Sequence, residues 1–200
     1  MEKPRCHYFG VCNGCTAQHI SYELQAENKK KMLVRALNCS EVKVFTGEPY
    51  AYRNRMDFLF HNKGIGLRKK RSSEIVDVSE CSIGNSRVNQ LLTELRNFFK
   101  NVDAFDVKKQ IGTFIYAVIR AVGDDSSISI VLNEDSSRTT EAVEKVKQFA
   151  AKTTADHVVV TYVSKEAEDS ISSTFFTVKG KNELQGTLLD KKFPAAHFYL

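Results

Sequence analysis

Cysteine is the residue type in this chain whose spacing is best suited to chemistry. Cys6, Cys12 and Cys15 lie within the first fifteen residues, and Cys81 stands alone much later. Grouped thiolates bind zinc ions and iron–sulfur clusters. The Gly and Asn residues within residues 9–15 allow the backbone to curl, so that several sulfur atoms can face one centre. The sequence therefore predicts that the chain begins with a ligand site and not with a hydrophobic core.

The spacing leaves the identity of the ligand open. Zinc sites usually pair one short ligand turn with another, whereas three cysteines in one loop and a distant fourth are more typical of a 4Fe–4S cluster. His7 and His19 keep a mixed Cys/His zinc site as an alternative. A third alternative is that the cysteines are simply small buried side chains. The fifth cysteine, Cys39, is interpreted as an ordinary apolar residue.

Positive charge is concentrated in one stretch of the chain. Residues 53–71 hold seven basic side chains and one acidic side chain, so their formal charge is +6, whereas the whole chain carries +5. This concentration is the electrostatic footprint expected for a polyanion partner. An aromatic side chain nearby could stack an unpaired base, and the candidates are Tyr50, Tyr52, Phe58 and Phe60. We therefore predict an RNA interface. Its predicted contact residues are Arg53, Arg55, Lys63, Arg68, Lys69, Lys70 and Arg71.

The elements that must position these residues follow from the apolar periodicity. Helical spacing predicts helices over about 22–37, 86–99 and 140–152. Alternating or continuous apolar runs predict strands near 52–60, 65–70, 74–78, 113–122, 127–133, 157–163 and 172–178. The predicted fold class is α+β, a cysteine-rich cluster loop plus a largely antiparallel sheet with packed helices. We divide the chain into residues 1–48, the cysteine loop and following helix, and residues 49–200, a central α+β RNA-contacting domain from which Cys81 returns to the cysteine site.

Composition excludes a membrane protein. No apolar run reaches the roughly 18–20 residues that cross a bilayer, and the first residues lack the apolar part of a secretory signal. We therefore expect a cytoplasmic protein without a membrane partner. In that compartment the cysteines serve as thiolate ligands and not as disulfides.

Three stretches of the chain resemble a known family. The run from Cys6 to His19 is similar to the cluster loop of the RNA (uracil-5-)-methyltransferases, which form 5-methyluridine in ribosomal and transfer RNA. Residues 52–58 and residues 64–78 also resemble that family, in the same order. The resemblance is close over most of residues 6–90 and only general beyond them. It implies that a structural 4Fe–4S cluster is bound by Cys6, Cys12, Cys15 and Cys81. The spacing of these cysteines keeps zinc as the alternative ligand.

The resemblance also implies what the chain lacks. The family carries its chemistry on a Rossmann-like C-terminal domain that binds S-adenosylmethionine and supplies a catalytic cysteine. No cysteine follows Cys81 here, and the three prolines do not form the family's Asp-Pro-Pro-Arg-like motif. We therefore expect that the Rossmann-like domain is absent, that the chain is inactive by itself, and that it is a truncated or frameshifted part of the enzyme. S-adenosylmethionine would be used only by the full-length protein.

Two other functions are compatible with the same residues. One is a stand-alone RNA-binding module with a structural 4Fe–4S or zinc site. The other is a small electron-transfer protein, which is disfavoured because nothing indicates a redox-partner surface. If the chain is part of the enzyme, its partners would be ribosomal or transfer RNA and either a separate catalytic half or a second copy bound through the exposed face of the 22–37 helix.

Overall fold

A computed structural model describes residues 2–39, 41–166, 170–188 and 191–196. Residues 197–200, at the end of the predicted second domain, lie outside the described residues. The elements in chain order are α1 (Tyr22–Leu37), β1 (Arg55–His61), β2 (Gly64–Arg68), β3 (Ile75–Asp77), α2 (Ser86–Phe98), β4 (Phe114–Val122), β5 (Asp125–Asn133), α3 (Thr139–Ala150), β6 (His157–Val163), β7 (Phe175–Lys179), β8 (Glu183–Leu188) and β9 (Lys191–Ala196). The sequence missed the β8–β9 hairpin.

Seven of the strands form one sheet in the order β3-β2-β1-β4-β5-β6-β7. All neighbouring pairs in it are antiparallel except β5 and β6, which are parallel from Ser127↔His157 to Asn133↔Val163. Helix α3 connects these two strands in a β–α–β crossover. Strands β8 and β9 pair with each other in a separate two-stranded sheet, and β8 packs across β4 and β5.

The predicted fold class is wrong in one respect here, because the predicted largely antiparallel sheet is mixed, with β5 and β6 parallel. The predicted hairpin of β1 with β2 is confirmed, and the short connection between β4 and β5 likewise makes them antiparallel neighbours. The connection from β5 to β6 contains the 12-residue helix α3. A helical crossover returns the chain in the same direction, so the strands that it joins lie parallel.

Helices α2 and α3 cover one face of the sheet, and an aromatic cluster fills the space between them. The Phe99 ring lies 5.5 Å from Phe60, 5.7 Å from Phe114 and 5.0 Å from Phe149, measured between centroids. All four side chains are buried. One apolar stripe of α2 faces this cluster and is also fully buried, as its spacing predicts. It consists of Val88, Leu91, Leu92 and Leu95.

Helix α1 differs from the other two because it has no buried residue among those described. Ser21 caps its N-terminus by accepting a hydrogen bond from the N–H of Leu24, which confirms the predicted start of the helix. Its apolar residues Leu24, Met32, Leu33 and Leu37 are all exposed. None of the described helices is long and apolar enough to cross a membrane. The predicted division between residues 48 and 49 stays a prediction.

Candidate functional site at the cysteine cavity

The cysteine loop folds by short backbone turns against the end of β2. The N–H groups of Phe9 and Cys12 donate to the carbonyls of Cys6 and Tyr8 at 3.2 and 2.8 Å. The loop then joins the strand, because Asn13 N–H donates to the Arg68 carbonyl at 3.0 Å and Lys70 N–H donates to the Val11 carbonyl at 2.8 Å. Strand β2 pairs with β1 at Leu59–His61, and the loop pairs with the segment just after β2 through an antiparallel bridge between Cys12 and Lys69.

The four predicted ligands line one cavity of about 430 Å³, although Cys81 is far from the others in sequence. Cys6, Cys12 and Cys15 are partly buried and Cys81 is buried. Burial raises the pKa of the Cys12 thiol, a hydrogen bond from the Gly14 N–H opposes this rise, and the charges of the other three cysteines add to it. Burial likewise raises the pKa of the Cys81 thiol. Thiolates crowded in this way repel each other unless a cation lies between them.

The arrangement is a poor fit for a single metal ion. Within the described ranges, no group of three or more His, Cys, Asp or Glu side chains is placed to hold a metal ion. Sulfur atoms around one tetrahedral zinc would lie roughly 3.8 Å apart, given Zn–S bonds of about 2.3 Å. In a 4Fe–4S cluster each thiolate binds a different iron, so the sulfur atoms are spread more widely. Four thiols around one cavity match the cluster in donor type, but they do not by themselves establish a cluster loop.

The nitrogen ligands considered for zinc are placed elsewhere. Neither His7 nor His19 lines the cavity, and the His19 ring packs 5.5 Å from the Phe9 ring. Cys39 also lies apart from the cavity and is exposed.

Asn89 of α2 holds the backbone around Cys81 from both sides. Its side-chain oxygen accepts a hydrogen bond from the Cys81 N–H at 2.8 Å, and its amide nitrogen donates to the carbonyls of Cys81 at 3.0 Å and Gly84 at 3.2 Å. Tyr8 adds a second link, because its hydroxyl accepts a hydrogen bond from the Ser79 N–H at 3.1 Å. Neither role was predicted from the sequence. The one available signal was an Asn inside a helix, where its intrinsic propensity is low.

The structure separates the predicted RNA-contact residues into free and paired cations. Arg53, Lys63, Lys70 and Arg71 are exposed, and Arg53 lines the cysteine cavity together with Arg68. Lys69 pairs with Glu74 at 2.7 Å. Arg55 is half-buried and pairs with Asp57 at 3.1 Å. Their role in RNA binding stays a prediction.

On β4, next to Arg55 of β1, the sheet carries a buried arginine, Arg120, whose role was not predicted from the sequence. Arg120 is paired in register with Arg55 and is 3% exposed. Burial, followed by the neighbouring charge of Arg55, lowers the pKa of Arg120 to about 10, while Asp57 opposes the shift. Burial alone would raise the pKa of Asp57, but hydrogen bonds from Arg55 and Ser170 and the charges of both arginines hold it below its ordinary value. Asp57 is therefore ionised and balances these arginines.

No family model matches the chain. The chain is 34% identical over 120 residues to a tRNA (uracil(54)-C(5))-methyltransferase of Pyrococcus abyssi, an overlap of 58% of this chain and 30% of that protein. It is 39% identical over 100 residues to the 23S rRNA (uracil(1939)-C(5))-methyltransferase RlmD of an Enterobacter species, which covers 47% of this chain and 23% of that protein. An uncharacterized RNA methyltransferase of Leptospira interrogans is 30% identical over 201 residues, which is 95% of this chain and 44% of the relative.

A solved structure agrees with these similarities at the level of the fold. The crystal structure of the Pyrococcus abyssi tRNA (uracil-54, C5)-methyltransferase in complex with S-adenosyl-L-homocysteine matches with a TM-score of 0.73 at 23% identity, over 94% of this chain and 46% of that chain. The expectation that a methyltransferase fold is absent from this chain is therefore wrong. The chain spans less than half the length of the curated relatives named above.

The sequence similarities are to one class of proteins, the RNA methyltransferases, and the solved structure agrees with them in fold. Within that class, the similarity is to the enzymes that modify C5 of uracil in tRNA and 23S rRNA. The resemblance to the RNA (uracil-5-)-methyltransferases is thereby confirmed.

Substitution of Asn89 tests the backbone clamp around Cys81. We expect Asn89→Ala to lower the free energy of unfolding by about 1–3 kcal/mol, because the Cys81 N–H loses its partner in a half-buried site. Urea denaturation measures this change. Asn97→Ala removes an exposed Asn from the same helix and should change stability by less than about 0.5 kcal/mol. Equal stability of the two variants would contradict the clamp.

Proposed function

We propose that this chain is the RNA-binding portion of an S-adenosylmethionine-dependent RNA (uracil-5-)-methyltransferase, with a 4Fe–4S cluster bound by Cys6, Cys12, Cys15 and Cys81. The observation that carries the proposal is the single cavity that these cysteines share with Arg53 and Arg68. The sequence similarities support the reaction class, and the substrate is ribosomal or transfer RNA in the cytoplasm.

The cluster's proposed role is structural. Bound to the four thiolates, it would join the loop of residues 6–15 to the turn after β3, which Asn89 and Tyr8 hold in place. The chain's own residues then keep the cationic stretch next to this centre, because Lys70 and Arg68 exchange backbone hydrogen bonds with the loop. Loss of the centre would leave four crowded thiols and loosen the loop that supports these residues.

RNA is the partner that suits the remaining exposed cations. Four exposed cations have no acidic partner among the ion pairs of the described residues: Arg53, Lys63, Lys70 and Arg71. They are therefore available for phosphate contacts. Arg55 and Lys69 are paired within the chain and contribute less. Phosphate contacts supply affinity that falls with salt, but they do not select a sequence.

Metal analysis after anaerobic purification tests the proposed cluster. We expect about four irons and four sulfides per chain, with the broad visible absorbance of a 4Fe–4S cluster. Cys12→Ser and Cys81→Ser should lose most of both, because each removes one ligand. Cys39→Ser, at an exposed thiol outside the cavity, should retain both. Stoichiometric zinc without iron would refute the cluster and leave the RNA proposal standing.

Salt-dependent binding tests the proposed RNA contacts. Fluorescence anisotropy with a labelled single-stranded RNA should show affinity that falls steeply with salt concentration. Arg53→Ala and Lys70→Ala should each weaken binding and reduce the slope of log K against log salt by about 0.7, the value for one lost contact to a single strand. Lys165→Ala, at an exposed lysine after β6 and three strands from β1, is the control. Slopes that are the same in all four proteins would exclude the assigned contacts.

We further propose that these 200 residues do not transfer a methyl group by themselves. Methylation at C5 requires a nucleophile that adds to C6 and a base that removes the C5 proton. The proposal assigns four of the five cysteines to the cluster and leaves only Cys39. Incubation with radiolabelled S-adenosylmethionine and unmodified RNA should therefore give no labelled RNA above background, with a full-length relative as the positive control. Incorporation by the chain alone would disprove this.

A further inference from the structure

A second cavity, of about 310 Å³, lies on the other side of the cysteine loop. It shares Gly14, Cys15, Gln18 and Ile83 with the cysteine cavity, so the two are separated by a common wall. Tyr50 and Tyr52 also line it. We refer to this second cavity as the tyrosine groove.

Tyr52 is the exposed aromatic surface of the tyrosine groove. It is 58% exposed, whereas Phe58 and Phe60 of the following strand are 0% and 1% exposed. Tyr50 packs against the core, and the Arg5 guanidinium lies 5.1 Å from the centre of its ring. One tyrosine is thus anchored, and its neighbour presents a free ring to solvent.

The backbone holds Tyr52 in this position at a conformational cost. Ala51, between the two tyrosines, has φ of +54°, a left-handed conformation that costs an alanine roughly 1–2 kcal/mol. The surrounding hydrogen bonds maintain it, because Ala51 N–H donates to the Ser82 carbonyl at 3.0 Å and Arg53 N–H donates to the Ile83 carbonyl at 2.7 Å. Strain of this kind concentrates at functional sites, where the surrounding structure enforces it.

The charges around the groove favour a neutral ring over a phosphate. Glu2 and Glu23 line it together with one lysine, Lys29, so an anion inside it would be repelled. Arg53 follows Tyr52 directly and lines the neighbouring cavity, where a phosphate next to a bound base could reach it. A free aromatic ring beside a cation is the combination that proteins use to hold single-stranded nucleic acid.

We propose that the tyrosine groove binds one unpaired nucleobase of the RNA, stacked on Tyr52, while Arg53 contacts the adjoining phosphate. This inference rests on the proposed RNA-binding function and specifies its substrate, which is a single-stranded segment and not a duplex. Lys29 and the two carboxylates are the charged residues that line this groove.

The test uses a single-stranded RNA carrying one 2-aminopurine, whose fluorescence is quenched when the base stacks. With the full chain we expect quenching, and binding at least tenfold tighter than to the same sequence in a duplex. Tyr52→Ala should weaken single-strand binding about tenfold and abolish the quenching, as expected when one stacking aromatic is removed. Tyr52→Phe should retain both, because it keeps the ring. Phe45→Ala, at a 90% exposed aromatic that does not line the groove, should behave like the unsubstituted chain.

The outcomes separate this inference from the proposed function. If the unsubstituted chain binds no RNA, both are refuted. If it binds RNA with the expected salt dependence but Tyr52→Ala retains full affinity and quenching, only the tyrosine groove is refuted. A preference for the duplex would also overturn the assignment of a single-stranded substrate.

Discussion

The turn at Cys81 is the constraint on which the candidate site depends. Asn89 binds the N–H and C=O of Cys81 from within helix α2, whose own hydrophobic stripe is buried against the sheet. The same turn accepts hydrogen bonds from Ala51 and Arg53 through the carbonyls of Ser82 and Ile83. A single short segment therefore connects the core helix, the fourth cysteine and the stretch that carries Tyr52 and Arg53. The contacts from Ala51 and Arg53 are backbone–backbone hydrogen bonds, so they fix the position of this stretch largely independently of side-chain motion.

The two faces of the cysteine loop have different chemical character. One face encloses four thiols, and the pKa values of Cys12 and Cys81 among them are raised. This environment favours a cationic centre. The other face carries an aromatic ring and carboxylates, which suit an uncharged base better than a phosphate. A thin wall of four residues separates them. A movement of the loop on one side would therefore be transmitted to the other side over a very short distance.

Sequence patterns predicted most local elements, because the information for those elements is local. The buried stripe of α2 and the strand of residues 157–163 match the prediction, as does the Ser21 cap. The fold class was wrong, because strand direction between β5 and β6 depends on how α3 packs and not on the composition of either strand. Likewise, the four cysteines could be grouped by type, but their shared cavity depends on pairings that the sequence does not display. Asn89, Tyr8 and Arg120 were missed because their roles come from contacts across the fold.

The long-range pairing of β1 with β4 has a consequence for how the cysteine cavity forms during synthesis. Tyr116 of β4 lines this cavity and pairs with Leu59 of β1, so its wall is incomplete until about one hundred residues have followed Cys15. At translation rates of roughly 5–20 residues per second, the first three thiols emerge about 5–20 s before that wall exists. During this interval a nascent chain presents reactive sulfur without its native surroundings, so these thiols are open to oxidation before the fold shields them.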